Sequence, residues 1–350
     1  LIPFFSSYVD PLATTYVSEV LNSGMLSEGK MVEKFEREFE KTFDLKTNSV
    51  VAVNSGTSAL HLAIETLGVV GEILLPANTF IATGLAILYA GCTPVFCDIL
   101  SDGTIDPDDV RRKITTSTVA VIGVNWAGKE CKVEKLERIC AQNGLLLIID
   151  AAQSLGCRVG GDITCFSFQA TKHLTTGDGG ALVCKDDDDY DTAKELRWFG
   201  ISKKTRAGVL GEREYNLQRV GFKYHMNDYS AALGLANLIN VNERLIHHKL
   251  LAHTYFQHLY AAVPLHVDGS FWAYPILVDD VTRFSEFCRS RGVPCSIIHR
   301  GIDHNEIFGG TNYSLVYQRH WESRVTHLPI HVNMSIEDVL WICGEVNQYV

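Results

Sequence analysis

Short apolar runs recur through the first half of the chain, each separated from the next by a stretch with helical periodicity. The runs at 50–53, 72–75, 94–98, 119–124 and 145–150 read as strands. They are apolar almost throughout rather than alternating, so both faces of each strand must be covered. Helices at 58–67, 80–89 and 133–143 lie between them, and an acidic-basic helix at 31–43 precedes the first. This alternation dictates an α/β fold with a mostly parallel central sheet and helices on both faces. Two more strands, 164–168 and 181–184, are followed by a polar segment at 201–220 that reads as a long loop. The last third has its own cycle: a long helix over 228–260, a strand at 271–278, a helix at 282–291, a strand at 295–298 and a closing helix. Ser335 starts that last helix with Asp338 three residues on, close to a capping box. The expected organisation is a large domain at 1–240 and a smaller C-terminal α/β domain at 241–350.

Charge and composition exclude several functions. The 31 basic and 41 acidic residues leave a net charge of −10. That argues against a nucleic-acid partner but leaves small anionic ligands open. No run reaches the roughly 18 apolar residues of a membrane span, and residues 1–10 lack the pattern of a signal peptide. Ten cysteines show neither CxxC pairs nor zinc spacing. They read as reduced core thiols of a cytoplasmic protein with no metal site. No Gly-Lys-Ser/Thr is present, which excludes a P-loop, and no G-x-G-x-x-G opens a helix after a strand.

Three segments carry chemistry, and each has a plainer reading beside it. The strand at 50–53 ends in Asn54-Ser55-Gly56-Thr57-Ser58, where a helix begins. Free N–H groups there make a phosphate site, or the hydroxyls simply cap the helix. Asp150 ends a buried strand, where open α/β sheets bind ligands. It is either a charge waiting for a cation or another helix cap. Lys172 follows the strand at 164–168 and precedes the glycine-rich turn Gly177-Asp178-Gly179-Gly180. It is either a desolvated, Schiff-base-forming amine or a solvated surface charge. Together a phosphate cradle, a carboxylate and a lysine fit pyridoxal 5′-phosphate (PLP), with Asp150 on the ring nitrogen and Lys172 on the carbonyl carbon.

These motifs resemble the DegT/DnrJ/EryC1/StrS aminotransferases, the sugar-aminotransferase branch of fold-type I PLP-dependent transferases. The resemblance runs from Ser23-Gly24 and Glu28-Gly29 through Ser55 to Leu60, Pro76-Ala77-Asn78-Thr79-Phe80, Asp150-Ala151-Ala152-Gln153 and Phe166-Ser167-Phe168. Lys172, Gly179-Gly180-Ala181 and Gly221-Phe222-Lys223-Tyr224 complete it. It implies Lys172 as the Schiff-base lysine and Asp150 as the ring-nitrogen partner. It implies Gln153 beside the ring hydroxyl, Phe80 stacked on the ring, and Gly56, Thr57 and Ser167 on the phosphate. Lys223 falls where many members place an Asn that reaches the phosphate of the neighbouring subunit.

The resemblance further implies a homodimer with a shared active site. The activity implied is transfer of an amino group from L-glutamate to a nucleotide-linked 3- or 4-keto sugar. Some relatives are dehydratases with histidine in place of the lysine, so Lys172 favours amino transfer. His225 stands where many members have Arg, at the position that receives the donor's carboxylate. A ketocyclitol or other non-nucleotide ketone is the alternative substrate, and a non-catalytic PLP-binding regulator is the alternative from another class.

Overall fold

A computed structural model describes residues 2–202 and 217–349. Seven strands make the main sheet: β1 (Val50–Val53), β2 (Glu72–Pro76), β3 (Thr93–Cys97), β4 (Thr118–Val124), β5 (Leu146–Asp150), β6 (Ile163–Ser167) and β7 (Gly180–Cys184). They lie in the order β1-β7-β6-β5-β4-β2-β3. Pairings from β3 across to β6 are parallel, while β7 runs antiparallel to both β6 and β1. The mostly parallel sheet expected from the apolar runs is therefore present, with one reversed strand near its edge.

Period-two geometry sorts the strand residues onto two faces. Val50, Ala52, Leu74, Val121, Leu147 and Ile149 face one way and pack against α2 (Lys30–Thr42), α6 (Val133–Asn143) and α8 (Asp228–Leu238). Val51, Val53, Ile73, Leu75, Ala120 and Ile148 face the other way. They pack against α3 (Gly56–Leu67), α4 (Ile81–Tyr89) and α7 (Asp187–Leu196). Each face is buried, which is why the strands are apolar on both sides.

A second, three-stranded antiparallel sheet pairs β8 (Val263–Pro264), β9 (Tyr274–Leu277) and β10 (Val325–Leu328) in the order β10-β9-β8. It packs with α9 (Val241–His258), α10 (Val281–Ser290) and α12 (Ile336–Val346) around a core of its own that includes Tyr255, Ile276, Phe284 and Ile342. Ser335 and Asp338 form the reciprocal capping box expected at the start of α12. A small cluster of Ile99, Trp126, Trp272 and Trp321, the last from α11 (Val316–Glu322), joins the two halves. Helix α1 (Ala13–Ser23) packs on α8, and α5 (Pro107–Lys113) adds Val110 to the first face of the main sheet.

Three expectations need correction. The single helix expected at 228–260 is two, because Ile239 leaves the helical region and Asn240 is left-handed at φ 55°, a conformation that Asn tolerates. The strand expected at 295–298 is reduced, among the described residues, to one bridge between Ser296 and His327. Beyond that bridge the chain runs along a cavity, which Ser296, Ile298 and His299 line. The strand expected over 271–278 shrinks to β9, since Phe271 is left-handed at φ 53°. The loop expected at 201–220 falls largely, at 203–216, outside the described residues.

Candidate active site

The site is built where parallel strands end. The C-terminal residues of β4, β5 and β6, namely Val124, Asp150 and Ser167, all line one cavity of about 430 Å³, the position at which open α/β sheets receive ligands.

The turn from β1 into α3 supplies a cradle. Ser55 caps the helix by accepting the Ser58 N–H at 3.0 Å, and its carbonyl accepts the Ala59 N–H at 3.1 Å. The Gly56 and Thr57 N–H groups have no acceptor among the described residues, and both residues line the cavity. Gly56 is required by close approach. A Cβ there would lie 2.7 Å from the Ser167 Cβ and 3.0 Å from its Oγ. The Ser167 hydroxyl thus joins two helix-terminal donors at a point of positive helix dipole.

Asp150 is buried, at 5% exposure. Its Oδ2 accepts the Thr83 hydroxyl at 2.8 Å and its Oδ1 accepts the Ala152 N–H at 3.1 Å. Thr83 is itself held by Thr79 at 2.7 Å. No cation touches the carboxylate among the described residues. Burial raises its pKa, while the two hydrogen bonds and the charge of Lys172 pull the other way.

Lys172 sits in a tight turn after β6. Its backbone N–H donates to the Gln169 carbonyl at 2.9 Å, and the Gln169 Oε1 accepts both the N–H and the hydroxyl of Thr171. The Nζ lies 3.7 Å from the centre of the Trp272 ring. Burial pushes its pKa down to about 8 from 10.5, with Asp150 opposing. Gln153 also lines the cavity. Its Oε1 accepts the Ala127 N–H at 2.7 Å, which orients the amide NH₂ as a donor. Phe80, half-exposed, stands at the rim with its ring 5.0 Å from that of His299.

Seven of the eight residues expected from the sequence, Gly56, Thr57, Phe80, Asp150, Gln153, Ser167 and Lys172, thus line a single cavity. Lys223 does not line the cavity of its own chain. It is exposed, and its carbonyl accepts from the Asn54 side chain at 3.3 Å. Sequence reasoning missed four other wall residues: Phe5, Thr83, Trp272 and His299. His299 is kept neutral, its pKa pushed down to about 4 by burial and by Lys172. His173, beside the lysine in sequence, points away and bonds the Ser270 carbonyl at 2.9 Å.

The donor set fits PLP on its own chemistry. Two free N–H groups and a hydroxyl suit a phosphate. A buried carboxylate without a cation suits a protonated ring nitrogen. An amine with lowered pKa suits a carbonyl carbon. Sheet order and site together define a fold-type I PLP-dependent transferase. Residues 9–347 match the DegT/DnrJ/EryC1/StrS aminotransferase family, and the chain belongs to it. It is 31% identical to the GDP-perosamine synthase of Vibrio cholerae over 80% of this chain and 78% of that protein. It is 32% identical to the dTDP-4-dehydro-2,3,6-trideoxy-D-glucose 4-aminotransferase of Saccharopolyspora spinosa, over 71% of this chain and 68% of that one. The crystal structure of AtS13 from Actinomadura melliaura shares the fold with a TM-score of 0.93 at 30% identity, covering 100% of this chain and 99% of that chain.

Proposed function

We propose that the protein transfers an amino group from L-glutamate to a nucleotide-linked 3- or 4-keto sugar, using PLP. The observation that carries this reading is the convergence of Lys172, Asp150 and the Gly56–Thr57–Ser167 cradle on one cavity. The family and the names of the two relatives support a nucleotide-linked sugar as the acceptor.

PLP, when bound, supplies an electron sink that stabilises negative charge on the carbon losing its proton. The chain's own groups do the rest. The Gly56 and Thr57 N–H groups and the Ser167 hydroxyl bind the phosphate and fix the cofactor's position. Asp150, held by Thr83 and Ala152, keeps the ring nitrogen protonated. The Gln153 amide donates to the ring hydroxyl. Lys172 works as base and then acid: its neutral Nζ takes the proton from the donor's α-carbon and, as the ammonium, returns it to the carbon on the far side of the donor nitrogen. A pKa near 8 suits both roles near neutral pH. Phe5, Phe80 and Trp272 give the cavity in which that proton moves an aromatic wall.

Lys223 serves the phosphate of a partner subunit in a homodimer whose two sites are shared. Its position outside its own cavity, on an exposed segment tied to the β1–α3 turn, supports that arrangement. Among the described residues no helix is long and apolar enough to cross a membrane. The free cysteines, most of them buried, support a reducing, cytoplasmic setting.

The test is turnover against a panel of nucleotide-linked 3- and 4-keto sugars with L-glutamate, reading 2-oxoglutarate release. Amination of at least one nucleotide-linked ketone is expected. Turnover confined to free cyclitol ketones would overturn the acceptor assignment.

A further inference from the structure

The loop that carries Trp272 is tied to the chain on both sides of Lys172. The Trp272 Nε1–H donates to the Thr171 carbonyl at 2.9 Å. On the other side, the His173 Nε2 bonds the Ser270 carbonyl at 2.9 Å. The His248 Nδ1 holds the Phe271 carbonyl at 3.1 Å. Phe271 itself is left-handed at φ 53°, an uncommon conformation for a bulky residue and one that surroundings must impose. The turn aims the next side chain at the lysine.

Trp272 is buried, and its ring face lies 3.7 Å from the Lys172 Nζ. Behind it, the Phe5 ring stacks at 4.9 Å with an interplanar angle of 21°. Phe5 belongs to an N-terminal strap held at both ends. The Pro3 carbonyl accepts from His331, Ser6 accepts from Asn333, and Ser7 donates to the Ala170 carbonyl.

We infer that Trp272 is a positioning residue for Lys172, its indole face holding the protonated Nζ over the cavity while Phe5 and the Thr171 carbonyl hold the indole. The charged and titratable groups around this amine are Asp150, whose charge favours the ammonium, and the neutral histidines His173 and His299. Asp178 lines the same cavity. Burial works against the ammonium form, and an indole face attracts it. Trp272 therefore excludes water and still lets the amine carry a proton between taking it up and giving it back. Of the aromatic side chains, Trp has the most attractive face for a cation.

This inference rests on Lys172 being the reactive amine, but its test needs no turnover. Failure of the acceptor assignment would leave it standing, and its own failure would leave that assignment standing. In the full-length, cofactor-free chain, the pH dependence of Lys172 labelling by an amine-directed reagent is read by mass spectrometry of its peptide. Trp272→Leu keeps an apolar wall but removes the ring face, so the labelling midpoint should fall by about one pH unit. Trp272→Phe should recover most of that shift. An unmoved midpoint in Trp272→Leu, or equal shifts in both variants, would overturn the inference. If Trp272→Leu does not fold, Phe5→Leu carries the test. Loss of the stacked backing should lower the midpoint by a smaller step, and an unmoved midpoint there would likewise overturn it.

Discussion

Two buried carboxylates in this molecule are treated in opposite ways. Glu36, on α2, is surrounded by cations: Arg197 and Lys194 each reach it at 2.7 Å, and the Ala52 N–H donates to it at 2.9 Å. Arg197 in turn bonds Glu28 and the Ala52 carbonyl. Opposite charge holds the Glu36 pKa below its usual range despite full burial. Asp150, equally buried, has a hydroxyl and an N–H but, among the described residues, no cation in contact, and burial raises its pKa. Glu36 belongs to a network of opposite charges that ties α2 to the edge strand. Asp150 has the environment of a group whose counter-charge arrives with a ligand. Buried charge alone therefore does not mark a functional site. Buried charge left unneutralised by its own fold does.

Removing each carboxylate tests this contrast, and Asp150 has the largest expected effect. Asp150→Asn should cut turnover by about 10²–10⁴, the rate equivalent of losing a buried charge partner worth about 3–5 kcal/mol. The cofactor-free variant should melt no lower than the cofactor-free wild type, because an uncompensated buried charge has gone. Near-normal turnover would place the ring-nitrogen partner elsewhere. Glu36→Gln should do the reverse, destabilising the fold by about 3 kcal/mol in urea titration. It leaves Arg197 short of one partner and should spare activity per folded molecule.

Lys223→Ala comes next. Losing a charge-assisted hydrogen bond of about 1.5–3 kcal/mol should weaken PLP retention roughly ten- to a hundredfold without unfolding the chain. Mixing it with Lys172→Ala subunits should restore activity, since one site of the mixed dimer carries neither lesion. No recovery despite demonstrated subunit exchange would count against a shared site.

The smallest effects are in pH dependence, and their signs differ. The folded-state pKa of Asp150 lies above its ordinary 3.8. Its contribution is most favourable below that value and is lost as pH rises through the folded pKa. The melting advantage of cofactor-free Asp150→Asn should therefore widen with rising pH above 3.8. The folded pKa of Glu36 lies below its ordinary 4.5. Its stabilisation is complete above 4.5 and is lost as pH falls through the lowered value, so the Glu36→Gln deficit should shrink on acidification. Melting curves of both variants across that range would reveal parallel trends if the contrast were wrong.

Much of the cavity wall is legible in the sequence because it is local. A strand end, a capped turn and a glycine-rich turn each leave a short pattern, and these patterns mark Asp150, Gly56 and Lys172. Ser167 is legible only through the family motif around it. Phe5, Trp272 and His299 leave no pattern. They come from distant parts of the chain, and each residue type is common in cores. The Glu36–Arg197 network is equally silent, since α2 reads as an ordinary charged helix. Two further helix starts carry a local signal. Asp106 followed by Pro107, and Asp186 before an acidic first turn, are helix-start signals, and both cap helices, at Pro107–Lys113 and Asp187–Leu196. The break at Asn240 and the loss of the strand at 295–298 interrupt otherwise continuous patterns. No local period announces either.

The most direct test of the central claim is to reduce the cofactor-loaded protein with borohydride, digest it and locate the pyridoxyl mass. The arrangement of Lys172, Asp150 and the Gly56 cradle around one cavity predicts that mass on the peptide carrying Lys172 and nowhere else. A pyridoxyl group on any other lysine, or a protein that takes up no cofactor, would contradict the assignment.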